Sequence, residues 1–464
     1  MPAILPIDRA RLTRELRASA NLAAPLVLGQ MSAIGMNVID TLLAGHLNAH
    51  TLGAVALGTS VWTLAIVCAI GVMMALPPTV AQLSGAGRRE MIGPMFRQAL
   101  WLATGIGLAI GLAVHFGGRW LLERIGVDPA LVDDTSRFLH AIAFGAPALT
   151  FFFALRGLSE GLGLSRPTMY FSLLGLALLG PVGYVLMYGK LGLPALGALG
   201  SGIATALVLW VQMIALAVYL GRRHYYRDLR LFARLDRPDP RAMFDLLKIG
   251  IPMGVAVFME ASLFVAVALV MGRLGTDIVA SHQIAVNVAS LAFMVPLGLA
   301  MSTTVRIGNA VGRGDPSGVR WAAGAGFLLT LLTQSISAAI LFAAPAAIAS
   351  LYTHDAEVIA VAAQLLVLAG VFQLSDGLQV AANGALRGLK DARMPMLLTT
   401  IAYWGIGMPV GLWLTFPGGF GARGMWMGLI AGLTVAAILL GWRFWRTALS
   451  APIGDALNKS VQAA

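Results

Sequence analysis

The chain has 464 residues, of which 58% are apolar and 11% charged, with a net charge of +11 and a mean hydropathy of +0.82. Soluble domains carry about 25% charged residues, so this composition excludes a large soluble domain. It allows roughly a dozen membrane spans of about 20 residues each.

In chain order, "MPAILPIDRARLTRELRAS" mixes both charge signs and runs into a long apolar stretch without a short apolar core or cleavage site. It reads as retained sequence, not a removable signal peptide. Apolar runs between charged or Gly/Pro-rich breaks then predict twelve spans, near 20-46, 52-76, 95-117, 137-156, 167-189, 196-220, 244-272, 278-301, 321-348, 357-386, 394-416 and 424-443. The longest polar interruption, 221-248, divides them six and six. This gives an N-terminal six-helix lobe over 1-220, a cytoplasmic linker over 221-243 and a C-terminal six-helix lobe over 244-464. One face of an even-span topology holds only Arg119, Arg124, Arg137, Lys190, Arg273 and Arg423 of the 32 Lys and Arg residues. The other face, with both termini and the linker, is therefore expected in the cytoplasm. A basic surface there suits anionic lipid headgroups, and no nucleic-acid-binding module accompanies it.

The halves resemble each other. "APLVLG" at Ala24 and "IPMGVA" at Ile251 set Pro25 opposite Pro252; "TVAQLSGAGR" from Thr79 matches "TVRIGNAVGR" from Thr304, and "GALGSGIATAL" from Gly197 matches "GARGMWMGLIA" from Gly421. Duplication of a unit with an even number of spans predicts parallel repeats, a central cleft and alternating access. The expected fold is an all-α polytopic membrane protein of twelve helices in two pseudo-symmetric bundles.

Three carboxylates stand alone in this apolar frame. Asp40 is the only formal charge between Arg17 and Arg88, Glu260 the only one between Lys248 and Arg273, and Asp376 the only one between Glu357 and Arg387. An ionised group in hydrocarbon costs about 2.5–3.5 kcal/mol on the lenient scales, so such residues usually mark ion or substrate paths. None has an obvious basic partner in its own span. Gln30, Asn37, Gln283, Asn287 and Asn383 also lie in predicted spans, where they can line a substrate cleft or bond between helices.

At these residues the chain resembles the multidrug and toxic compound extrusion family, in its bacterial norfloxacin-exporter branch. The matching stretches are "MNVIDTLLAG", "FMEASLF", "SDGLQVAANGALRGLKDARMP" and "YGKLGLPALGALGSGIATA". The resemblance implies export of cationic amphipathic drugs and dyes against inward H+ or Na+, by a monomer in the bacterial inner membrane. It casts Asp40 as the N-terminal-lobe acid and Glu260 with Asp376 as the C-terminal-lobe pair, all three serving cation coupling. The chain departs from the family pattern at "LGPVGY", 179-184, where Leu179 and Gly183 carry no side-chain oxygen, and at Phe372, where some sodium-using relatives have tyrosine. Sodium prefers several oxygen ligands, by analogy with other hard cations. Fewer donors favour H+, although Thr205 or backbone carbonyls can compensate.

Other features carry less. His46 and His50 have metal-ligand spacing but no carboxylate partner in sight, and no metal or cofactor is expected. "GRGDPSG" at Gly312 reads as a turn. Cys68, alone, excludes an intrachain disulfide and reads as packing; so do Met31, Met36, Met73 and Met74. The absence of a GxxxxGK[ST] loop argues against an ATP-driven pump, and no clustered nucleophile and base suggests an enzyme. A lipid-linked oligosaccharide flippase of the same broad superfamily is the alternative; it is expected to have a basic cavity, whereas these spans carry acids.

Overall fold

The computed structural model describes residues 8–234 and 236–450, without the side chains of Cys68, Leu449 and Ser450. The packing role of Cys68 thus lies outside the described residues, as do the two chain ends. Regular structure among the described residues is helical. The first half runs α1 (Arg9–Leu47), α2 (Ala49–Met73), α3 (Leu76–Gly85), α4 (Ile92–Arg124), α5 (Pro129–Ala143), α6 (Ala146–Gly161), α7 (Arg166–Tyr188) and α8 (Gly197–Arg222). The second runs α9 (Pro240–Gly272), α10 (Thr276–Gly312), α11 (Pro316–Ala343), α12 (Pro345–Ser350), α13 (Ala356–Gly388), α14 (Arg393–Thr400), α15 (Met408–Thr415) and α16 (Ala422–Ser450). Eleven helical stretches are long and apolar enough to cross a membrane, and the α5–α6 pair, bent by 44°, makes a twelfth. This is a multi-pass membrane protein, and each predicted span falls on one of these stretches.

Local chemistry sets the helix ends. Asn48 caps α2 through Thr51 N, Asp128 caps α5 through Ala130 N, Asp355 caps α13 through Glu357 N and Val358 N, and Asp315 caps α11 through Gly318 N, each side-chain oxygen accepting from an otherwise unpaired first-turn amide. The last of these makes "GRGDPSG" the expected turn. Between α14 and α15 the chain forms a π-helical stretch, Ile401–Gly407, just before Pro409, which has no amide to continue the α-helical ladder. Large apolar side chains such as Phe116, Leu269 and Ile438 face outward, as a lipid-facing surface requires.

The helices form two compact units. One is Leu28–Gly254; the other joins the described residues up to Val27 to those from Val255 onward. The division thus falls inside α1 and α9, two residues after Pro25 and Pro252, and differs from lobes drawn at 220 and 244. Packing explains it. In the second-named unit the first part of α1 is held by α10: Ser302 Oγ donates to Ser19 O, Arg306 binds Glu15 and Ser19, and Gly298 lies so close that an added Cβ would be 2.5 Å from Val27 Cγ2. In the unit Leu28–Gly254 the first part of α9 lies on α2, where a Cβ on Gly71 would be 2.1 Å from the Cα of Gly254.

The polar segment before α9, read from sequence as a linker, is a strap clamped to the start of α4. Arg97 Nε donates to Asp236 Oδ2 at 2.5 Å and its Nη1 to Arg230 O at 2.8 Å. Gln98 donates to Arg237 O and accepts from Asp239 N, while Trp101 Nε1 donates to Asp236 O. Arg89 makes two hydrogen bonds to Asp228. The bonds from Arg97 and Arg89 hold the carboxyls of Asp236 and Asp228 below the usual carboxylate range. Depressed folded-state pKa values mean stability that is present above the ordinary carboxylate pKa of about 4 and lost as pH falls below it. The strap should therefore stay clamped at neutral and mildly acidic pH. Arg97→Ala is expected to raise tryptic cleavage after Arg234 about tenfold at neutral pH, since a lost charge-assisted bond opens a local segment by about that factor. Unchanged cleavage would mean that the strap is held elsewhere.

Candidate functional site

Asp40 lies near the end of α1, in the unit Leu28–Gly254, 9% exposed. Its two oxygens each accept a hydroxyl from α8: Ser201 Oγ at 3.0 Å from Oδ1 and Thr205 Oγ1 at 3.1 Å from Oδ2. These donors are four residues apart and so share one helix face. Thr205 was expected as an oxygen source; Ser201, in the same "GSGIATAL" stretch, was not singled out. The face of α7 turned to this region is apolar. Leu179 is fully buried with Ala204, Val208, Met36 and Ile39 around it, and a Cβ on Gly183 would come 2.9 Å from Leu43 Cδ1. The two positions without side-chain oxygens are thus filled by hydrocarbon.

Glu260 and Asp376 lie in the other unit, on α9 and α13. Glu260 acts electrostatically on Asp376 and on Arg387, and Tyr403, from the π-helical stretch, feels all three. Among the described residues no ion pair joins Glu260 or Asp376 to a basic side chain, but Arg387 is a buried basic group on the helix of Asp376. Read from sequence it belongs to a cytoplasmic loop, but α13 runs on through Gly388, and its Cβ direction leans toward the N-terminal end of the helix. Arg387 Nε and Tyr403 Oη are buried without a hydrogen-bond partner, as are both side-chain ends of Gln373 and Gln379 and the hydroxyl of Thr330. Buried polar groups are normally satisfied; Gln373 and Gln379 lie one turn to either side of Asp376 on α13, and Thr330 packs beside Gly377. Phe372, one turn before Asp376, is held by aromatic neighbours, 6.1 Å from Phe264 and 5.6 Å from Trp426 between ring centres. Phe372 itself carries no hydroxyl, and the tyrosine hydroxyl of this core is that of Tyr403.

The candidate cleft residues divide. Gln30 accepts from Arg156 Nη2 at 2.7 Å, and Arg156 Nε pairs with Glu160 at 2.6 Å inside α6, so Gln30 serves a buried ion pair. Asn383 is 6% exposed on α13. Asn37, Gln283 and Asn287 are exposed on their helices, the last two on one face, with Asn287 Nδ2 donating to Gln283 O. Met73 is buried in one core cluster of its unit, and the partly buried Met36 packs against Leu179 in another; Met31 and Met74 are also partly buried. His50 does have a carboxylate opposite, Asp134 at 3.1 Å, while His46 turns back to Leu42 O; the two do not converge. A cavity of about 260 Å³ lined by Arg11, Glu15, Arg306 and Arg313 lies near the start of α11, away from the acids.

The MatE family model matches this chain twice, over residues 25–186 and 252–413, two segments of equal length. The second match starts on Pro252 as the first does on Pro25, the register read from the sequence repeat. Among curated proteins, the probable multidrug resistance protein NorM of Xanthomonas campestris pv. campestris is 48% identical, over 98% of this chain and 99% of its own length. The multidrug resistance protein PmpM of Pseudomonas aeruginosa is 41% identical over 96% of this chain and 94% of its own. The fold is similar to that of the eukaryotic MATE transporter AtDTX14, with a TM-score of 0.88 at 21% identity over 97% of this chain and 99% of that one. It is also similar to the bent form of the Vibrio cholerae MATE transporter VcmN, with a TM-score of 0.85 at 16% identity over 96% and 99%. Two full repeats matched in register, together with relatives nearly half identical from end to end, place this chain in the MatE family.

Proposed function

We propose that the protein is a secondary active multidrug exporter of the bacterial inner membrane, exchanging cationic amphipathic drugs and dyes for inward protons by alternating access. The observation that carries this reading is the pair of carboxylate sites buried in otherwise apolar bundles, each able to hold one cation or lose its charge to a proton. A drug cation and a proton compete for the same negative charge, so filling by one expels the other. Differential affinity of proton and drug for two conformations then drives transport. The names of the relatives, multidrug resistance proteins, support the substrate class. The chemistry is binding and release, with no covalent step and no cofactor.

Proteoliposome flux tests this reading. Purified protein should move ethidium against its gradient when a pH gradient is imposed, and should not when the gradient is collapsed. Uptake indifferent to both pH and sodium gradients would point to a channel.

Orientation is separately testable. Both ends and the strap are expected on the cytoplasmic side. In a Cys68→Ala background, Arg227→Cys, an exposed strap position, should react with an impermeant maleimide in inverted vesicles and not in intact spheroplasts. The opposite pattern inverts the topology.

A further inference from the structure

The cavity of about 260 Å³ near the start of α11 is lined by charged and amide groups: Arg11 and Glu15 from α1, Arg306 and Asn309 from α10, and Arg313 and Asp315 from the turn before α11. It is smaller than the roughly 300–1,000 Å³ of drug-sized sites. Both carboxylates are engaged. Glu15 binds Arg306, and Asp315 Oδ1 caps α11 by accepting from Gly318 N at 2.8 Å. Arg11 lies over the Trp321 ring, 5.3 Å from its centre; such stacking uses the face of the guanidinium and leaves its in-plane N–H groups for an acceptor. Arg313 is exposed. Among the described residues neither Arg11 nor Arg313 makes an ion pair, so three arginines against two carboxylates leave one formal positive charge. The shared fold does not require that charge: in the repeat register that sets Thr304 on Thr79, Arg306 falls on Ala81 and Asn309 on Ser84. The cavity also stands where apolar sequence begins, after Arg17 in α1 and at Trp321 in α11, and tryptophan at the end of a span marks the headgroup layer. Seven and eleven residues beyond Trp321, on the same face of α11, Leu328 and Leu332 are exposed.

We propose that this cavity binds the phosphate of an anionic phospholipid, with Arg11 and Arg313 donating charge-assisted hydrogen bonds to its oxygens and Arg306 held beside them by Glu15. A monoanionic phosphodiester matches the single positive charge. A free phosphate ion offers the same oxygens, but the face running from Trp321 through Leu328 and Leu332 gives cover to an acyl chain, which an ion lacks. The bound lipid ties the first part of α1, before Pro25, to the turn between α10 and α11. This goes beyond the exporter reading and stands without it, since binding is measured with no transport.

The test measures lipid retention by delipidated protein in neutral detergent, read by native mass spectrometry, with phosphatidylglycerol, zwitterionic phosphatidylcholine and inorganic phosphate as probes. Wild type should bind phosphatidylglycerol at least about tenfold more tightly than phosphatidylcholine, and excess inorganic phosphate should not displace it. Arg11→Gln with Arg313→Gln should weaken phosphatidylglycerol binding at least about tenfold, since each arginine beside an anionic headgroup contributes about fivefold. The control is Arg222→Gln with Arg223→Gln, two exposed arginines outside the cavity, of which Arg223 also stacks on an aromatic ring, that of Tyr219; it should bind as wild type does. Neither cavity arginine has an ion pair to lose, so the lipid-free melting temperature should match wild type. Should the double variant nonetheless fail to fold, Arg313→Gln alone should weaken binding about fivefold, and unchanged binding in that variant overturns the proposal. Unchanged binding in the folded double variant overturns it too, as does an equal loss in the control pair, which would mean diffuse surface charge. Displacement of the lipid by inorganic phosphate overturns the lipid assignment and makes the cavity a site for a free anion.

Discussion

Glu260→Gln and Asp376→Asn are each expected to reduce drug efflux at least about a hundredfold while leaving the protein folded in the membrane, a loss of the size that follows from removing the counter-charge of a bound cation. The amides keep the shape of the acids and remove their charge. Either change removes one of the two negative charges, so a cation entering the site has less to balance it. The same argument separates this role from packing. A neutral amide is cheaper to bury than a carboxylate, so thermal stability of either variant should equal or exceed wild type even as transport disappears. Wild-type efflux from both variants at matched expression would make the acids structural, and loss of transport with a matching loss of folded protein would say the same.

The helices and the acids were legible because their signals are local. An apolar run of 20 residues bounded by charges can hardly be anything but a span, and a lone Asp40 or Glu260 inside one is conspicuous by the cost of its burial. Pairings across helices were not legible. Arg387 follows an apolar run and precedes "GLKDAR", so by composition it reads as a loop charge obeying the positive-inside rule; the structure instead carries α13 through it to Gly388 and buries its Nε. Arg156 stands at the last position of the predicted span 137-156, but its helix runs on to Gly161 and pairs it with Glu160. The strap shows the limit in another form. Its polar composition looks like a linker, and nothing in "RDLRLFARLDRPDP" announces that Arg97, more than a hundred residues earlier, closes on Asp236. The α1 and α9 crossings escape the sequence too, since Pro25 and Pro252 mark where each helix loses an internal hydrogen bond but not which helices the halves will pack against.

Under a pH gradient, acid outside, and in the complete absence of sodium, the wild-type protein is expected to drive efflux at full rate, and Asp40→Asn to abolish or uncouple it. Asp40 accepts two hydroxyls and faces hydrocarbon from α7 at Leu179 and Gly183. A proton needs only one carboxylate oxygen, whereas a hard metal cation needs a shell of several oxygens, and the α7 positions that could complete a shell are apolar. Ser201 and Thr205 are the remaining side-chain donors, which makes them the decisive control. If sodium were the coupling ion, Ser201→Ala combined with Thr205→Val would strip two ligands and raise the sodium concentration needed for half-maximal efflux at least about tenfold. If protons are, the double variant keeps sodium-independent efflux and alters only its pH profile, because the hydroxyls bond the charged carboxylate and their loss changes how readily it takes a proton. Asp40→Asn must then be silent to pH, since an amide cannot titrate in this range. Efflux that is absent without sodium and recovers on its addition, under the same pH gradient, would reject proton coupling and assign Ser201 and Thr205 to a sodium shell around Asp40.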